Sequence, residues 1–181
     1  STVDDFGFIE TLMTELSNNY QIDNNRIYAA GFSNGAAFAF GLACYQSENI
    51  AAVVSVSGSM SPTQEQGCDP QHPVPVMTIH GTQDSYFTYQ GGYYLSMSDV
   101  TDYWTLFNQT QTTLPTETVT DTKNNFIVEK FSYTQGNNGS KVDHFKVNGG
   151  YHTWFDLDFN GDSTEELIWN FVSGFDINGA R

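Results

Sequence analysis

The stretch Gly31-Phe32-Ser33-Asn34-Gly35 constrains the fold of this chain most tightly, because of what enters and leaves it. Residues 27–30 (Ile-Tyr-Ala-Ala) are apolar and read as a strand. Residues 36–43 (Ala-Ala-Phe-Ala-Phe-Gly-Leu-Ala) are small or apolar and read as a helix. Glycines two positions before and two after the serine permit a strained strand-to-helix turn that lifts the hydroxyl clear of a sheet. The pentapeptide alone is weak, since Gly, Ser and Ala are common. Its flanks carry the reading, with a structural Gly/Ser turn as the rival.

A serine hydroxyl becomes a nucleophile only with a base to take its proton and an acid to orient the base. On such a sheet the three follow in the order serine, acid, histidine, each on a loop after a strand. The run 73–80 (Pro-Val-Pro-Val-Met-Thr-Ile-His) reads as a buried strand, and Gly81-Thr82-Gln83-Asp84 sets Asp84 beyond its carboxyl end. Residues 142–147 read as a later strand, followed by Gly149-Gly150-Tyr151-His152-Thr153-Trp154.

Of the four histidines, only His152 has this loop context. His72 lies in a Pro-rich loop with no strand before it. His80 ends a strand and suits a structural hydrogen bond beneath the acid turn. His144 falls within strand periodicity and is expected on a solvent face. For Asp84 the competing reading is a turn-forming Asp bonded to its own backbone. Asp99 and Asp102 sit in a helical segment and are weaker candidates.

With 181 residues, 39% hydrophobic, the chain is expected to form one domain, residues 1–181, with a real core. Twenty-one acids against six bases give −15. That balance argues strongly against nucleic-acid binding, which needs a basic surface, and disfavours anionic membranes. No apolar run approaches the ~20 residues that span a bilayer. The acidic, Asn-, Thr- and Ser-rich composition suits a secreted or periplasmic protein. Cys44 and Cys68 form either a single disulfide, near the carboxyl edge of the sheet or just behind it, or two buried thiols. Asn108-Gln109-Thr110 and Asn138-Gly139-Ser140 match the glycosylation sequon.

The rest of the chain reads as alternating helices and strands. A first helix begins at Asp4 or Asp5 with Phe6, Ile9, Leu12, Met13 and Leu16 on its apolar face. Residues 51–57 form a buried strand, and 58–72 a loop. Residues 98–108 form a helix burying Val100, Tyr103, Trp104 and Phe107. Residues 126–133 and 141–147 pair around Gly136-Asn137-Asn138-Gly139. A last helix begins at Ser163. The order implies an α/β layer with a mostly parallel sheet. Asp158, Asn160, Asp162 and Thr164 have the alternation of a calcium loop, but Trp169 replaces its final Glu and Ser163 its glycine. A polar turn capping the last helix is the better reading, and no metal is expected.

The segments Asp4-Asp5-Phe6-Gly7-Phe8-Ile9, Asn25 through Gly35, Pro75 through Asp84, Tyr89-Gln90-Gly91-Gly92 and Asn148 through Trp154 resemble a known group. It comprises α/β-hydrolase esterases, including polyhydroxybutyrate depolymerase-like proteins and bacterial feruloyl esterases, the latter grouped with acetylxylan esterases. The similarity runs across most of the chain. It implies Ser33 as nucleophile, Asp84 as acid and His152 as base, in agreement with residue order, and no cofactor. It also implies an oxyanion hole using the Asn34 backbone N–H. A second donor comes from a His-Gly loop that lies before this point in the group.

The expected fold is therefore an N-terminally truncated α/β-hydrolase fold, its mostly parallel sheet flanked by helices and followed by a C-terminal hairpin. Truncation leaves the 27–30 strand without its neighbour, so either the chain is a fragment or one chain of a processed protein, or another copy covers that edge; a homodimer or an exchanged element is expected. The resemblance implies hydrolysis of small or polymeric esters with short-chain or aryl (feruloyl- or acetyl-type) acyl groups. The alternative is an impaired fragment or a module that binds carbohydrate or polyester. Tyr86, Tyr89, Tyr151 and Trp154 are the candidate pocket residues, with Phe87, Tyr93, Tyr94 and Phe155 beside them and core packing as the equal alternative for each.

Overall fold

The computed structural model describes residues 3–111 and 117–181. Five helices and ten strands are described: α1 (Asp5–Asn19), β1 (Tyr28–Phe32), α2 (Asn34–Tyr45), β2 (Ala52–Val56), α3 (Pro62–Gln66), β3 (Val76–Gly81), α4 (Met97–Asn108), β4 (Glu117–Thr120), β5 (Ile127–Tyr133), β6 (Val142–Asn148), β7 (Asp158–Phe159), β8 (Asp162–Ser163), α5 (Thr164–Val172), β9 (Phe175–Asp176) and β10 (Gly179–Ala180). The main sheet has the order β1-β2-β3-β6-β5-β4. β1, β2, β3 and β6 are parallel, while β5 and β4 extend the sheet antiparallel. This is the α/β-hydrolase arrangement, with strands inside and helices outside.

Both faces of the parallel part are covered, which accounts for the near-continuous apolar runs of β2 and β3. Along β2, Ala52, Val54 and Val56 join one core with Ile79, Phe145, Phe155 and Phe171 of α5. Val53 points the other way, into a core with Phe40 of α2 and Met97, Val100 and Trp104 of α4. The helix starts follow local chemistry. Asp4 caps α1 by accepting from the Gly7 N–H, and capping boxes open α4 (Ser96, Asp99) and α5 (Ser163, Glu166).

Several expectations change. α1 buries none of its residues; Phe6, Ile9 and Met13 pack against the core, but Leu12 and Leu16 remain 40% and 39% exposed. The loop 58–72 contains α3, capped by Ser61 with Pro62 in its first turn. Cys44 and Cys68 are joined in a disulfide. Because α2 runs back from the carboxyl edge, the bridge lies toward the amino ends of the strands, in the core beside Ile50 and Val74. Asn108 cannot present its side chain for glycosylation in the folded chain, because it is fully buried and its amide bonds both the N–H and the C=O of Val74. The calcium-like segment is the β7–β8 hairpin, where Asp158 accepts from the Gly161 N–H at 2.8 Å and from the Thr122 hydroxyl. Among the described residues, no group of three or more His, Cys, Asp or Glu side chains is arranged to hold a metal ion.

Candidate active site

The turn between β1 and α2 is as tight as its glycines suggest, but the two do different work. A Cβ on Gly31 would lie 2.2 Å from the backbone of Gly35, so only glycine fits there, whereas one on Gly35 would meet nothing within 4 Å. Between them Ser33 is held at φ 57°, a left-handed conformation costly for a serine. Its amide donates to Val56 O at 3.0 Å, which fixes the turn to the end of β2. A Cβ on Gly58 would lie 2.8 Å from Ser33 O, so the chain after β2 passes close beneath the turn.

The Asp84 turn follows β3. Its Oδ1 accepts from the amides of Tyr86 and Phe87 at 2.8 and 2.9 Å. These are the self-turn bonds of the competing reading, yet they occupy one oxygen only. Oδ2 accepts from His152 Nδ1 at 2.8 Å. On the other side of the ring, Nε2 lies 2.9 Å from Ser33 Oγ. A carboxylate can only accept, so Nδ1 carries the proton and Nε2 is left to accept from the serine hydroxyl. Ser33, His152 and Asp84 thus form one continuous hydrogen-bonded chain, across 119 and 68 residues of sequence.

His80 lies below this chain. Its Nε2 donates to Phe87 O at 2.7 Å, pinning the far end of the acid turn. Burial lowers the pKa of His80, the Phe87 carbonyl and the Asp84 charge opposing it. The ring is therefore neutral, and its 3.5 Å approach to Asp84 is not an ion pair. The expectation for His144 is overturned. It is buried, with Nδ1 2.7 Å from Thr78 Oγ1 and Nε2 2.7 Å from Tyr89 Oη, and desolvation lowers its pKa to about 3.

A cavity of about 620 Å³ opens over the serine, lined by Phe32, Ser33, Asn34, Tyr86, Phe87, Tyr94 and His152. Of the eight candidate pocket aromatics, Tyr86, Phe87 and Tyr94 line it, the Tyr86 ring 4.8 Å from that of His152. Tyr89 is committed to His144. Tyr151 is exposed, and Trp154 donates its indole N–H to Glu165. Phe32 escaped the sequence reading, although it is inside the pentapeptide and its ring lies 5.0 Å from His152. The Asn34 amide, in the first turn of α2, has no acceptor among the described residues and is available to the cavity.

A family profile described as Phospholipase/Carboxylesterase matches residues 5–116, more than half of the chain and including both Ser33 and Asp84. The chain belongs to this family. Among relatives of this family member are the bifunctional acetylxylan esterase/xylanase XynS20E of Neocallimastix patriciarum and feruloyl esterase B of Piromyces equi. The first is 27% identical over 97% of the chain and 24% of the relative. The second is 28% identical over 96% of the chain and 32% of the relative. The chain thus spans about a quarter to a third of these relatives. An acetyl xylan esterase from Aspergillus awamori superposes with a TM-score of 0.63 at 16% identity, covering 92% of this chain and 66% of that one. At that identity the likeness is one of fold.

Proposed function

We propose that this chain is a serine carboxylic ester hydrolase, a single domain acting through an acyl-enzyme on short-chain or aryl esters. The observation that carries the reading is the unbroken Ser33–His152–Asp84 contact, at 2.9 and 2.8 Å, at the mouth of an aromatic-walled cavity. Membership of the phospholipase/carboxylesterase family and relatives named as acetylxylan and feruloyl esterases support it.

In this reading Ser33 Oγ attacks the ester carbonyl carbon as its proton passes to His152 Nε2. The carbonyl oxygen becomes an oxyanion facing the Asn34 N–H. Collapse of the tetrahedral intermediate breaks the bond to the alcohol oxygen, which takes the proton from Nε2. Water then repeats the sequence on the acyl-enzyme, releasing the acid and restoring Ser33. Asp84 holds the tautomer and stabilises the imidazolium. Losing one oxyanion donor typically costs ~100- to 1000-fold in rate, so a second donor beside Asn34 sets how fast the chain works. The Cys44–Cys68 disulfide supports an oxidising compartment such as the periplasm or the exterior.

The deciding experiment is hydrolysis of p-nitrophenyl acetate, p-nitrophenyl butyrate and methyl ferulate by the chain and by Ser33→Ala. Serine-dependent turnover is expected. Equal rates from the two proteins, with no fluorophosphonate labelling of Ser33, overturn the reading in favour of a binding module.

A homodimer across β1 belongs to the same proposal. β1 is the outermost strand of the sheet, and an apolar groove of about 380 Å³ runs beside it between α1 and α2. β1 holds no charge and no proline, the devices that usually protect an edge. A monomeric mass in solution overturns the dimer and leaves the esterase reading intact.

A further inference from the structure

Among the described residues, seven other than glycine have positive φ, and five of them are Asn or Gln. The remaining two are Ser33 and Ser57, both at the carboxyl edge of the sheet. The turn into α2 explains Ser33. Ser57 directly follows β2, is fully buried and holds φ 50°, where a glycine would be at ease. A serine kept in that conformation calls for a task that needs its side chain.

Its hydroxyl donates to the carbonyl of Thr153 at 2.8 Å, the residue after His152. Among the described residues, this is the one hydrogen bond tying the backbone of residues 151–154 to the sheet. The flanking ties are Gln83 N to Gly150 O on one side and Thr164 Oγ1 to Phe155 O on the other. The preceding residue, Val56, accepts from the Ser33 amide. Two consecutive residues at the end of β2 therefore hold the nucleophile and the loop of its base.

We propose that Ser57 is a positioning residue for His152, its hydroxyl setting the height of the loop and with it the Ser33–His152 contact. The proposal rests on the esterase reading above. Nε2 must meet the serine proton and later the leaving oxygen, and a displacement of about 1 Å in such an arrangement costs up to ~100-fold. Asp84 holds the tip of the ring, and the Ser57 bond is what fixes the backbone that carries it, so the two together set where Nε2 lies.

Ser57→Gly tests this, because it removes the hydroxyl and relieves the backbone strain together. Its kcat on p-nitrophenyl acetate is expected to fall about tenfold with KM within about twofold, and fluorophosphonate labelling of Ser33 to slow in step. Its Tm should stay within about 3 °C of the parent. Ser57→Ala should lose similar activity and also melt earlier. The control is Ser47→Ala, which loses a buried hydroxyl bonded to the Gln71 amide on the far side of the sheet. It should lower Tm and leave kcat unchanged.

Parent-like kcat and labelling in Ser57→Gly overturn the proposal. So does a kcat loss that merely tracks Tm across the three variants, or a Ser57→Gly chain that fails to fold. A parent chain whose Ser33 does not label overturns the esterase reading and this proposal together, which separates the two failures.

Discussion

His152 and His144 are hydrogen-bonded through both ring nitrogens at 2.7–2.9 Å, yet they occupy regions with opposite consequences. His152 lies in a loop between a carboxylate and a serine hydroxyl, with its side chain 15% exposed at the mouth of a cavity. His144 lies within β6 between the hydroxyls of Thr78 and Tyr89, buried, with its pKa lowered to about 3. Two neutral hydroxyls satisfy a neutral ring and give an imidazolium little compensation, whereas a carboxylate compensates it directly. Counting hydrogen bonds does not distinguish the two sites. The charge of the partners and the exposure of the ring do.

The largest expected effects lie on the His152 side. Ser33→Ala should reduce ester hydrolysis by about 10⁴-fold or more, measured as kcat/KM on p-nitrophenyl butyrate. Asp84→Asn keeps the shape but leaves Nδ1 free to be the wrong tautomer, and should cost about 10³- to 10⁴-fold. If Asp84→Asn were as active as the parent, His152 would behave like His144, a satisfied structural ring, and the contrast would collapse.

On the other side, His144→Gln should leave kcat within about twofold while lowering stability, by about 2 kcal/mol at pH 7 by chemical denaturation. The sign of its pH dependence is set by a folded pKa below the unfolded one. Between the ordinary value near 6.5 and about 3, the unfolded chain binds the proton and the folded chain does not. The stability that neutral His144 lends is thus present above about pH 6.5 and lost as pH falls toward 3. Between pH 7 and pH 5 the parent should lose about 2 kcal/mol more than His144→Gln, so the two curves converge in acid. His80, lowered in the same direction, remains in both proteins, and its charge is the second cause, after burial, that holds His144 down.

Much of this site was legible in the sequence because its parts are local. A pentapeptide between a strand and a helix, and two loops that each follow an apolar run, point to Ser33, Asp84 and His152 as candidates, and the structure brings these three side chains into hydrogen-bond contact. Packing across the sheet decides the roles of two side chains that the sequence does not show, His144 and Tyr89. His144 alternates correctly for a strand, but β6 lies between β3 and β5, and Thr78, Tyr89 and Phe131 cover its end of the face, leaving only Lys146 and Asn148 half-exposed further along. Tyr89 follows the acid turn closely enough to pass for a pocket residue, and only the third dimension turns its hydroxyl onto His144. Gly31 and Gly35 look equivalent in the chain, yet crossing backbones require only the first. Ser57 is one serine among several in residues 51–61, and nothing local announces its left-handed backbone.

The smallest effect sharpens the comparison most. Tyr89→Phe removes one hydroxyl and leaves His144 Nε2 without a partner in a buried site. The ring retains Thr78 at Nδ1. An unsatisfied buried nitrogen costs about 1–3 kcal/mol, and the loss here should be at the low end because a single neutral bond is involved. Chemical denaturation should therefore show a loss of about 1 kcal/mol for Tyr89→Phe and a smaller one when the change is made in His144→Gln. Ester hydrolysis should be unchanged in both. Tyr89 belongs to the His144 site rather than to the cavity over Ser33, so a change in KM for methyl ferulate would place it back among the substrate-contacting aromatics and erase the boundary between the two regions.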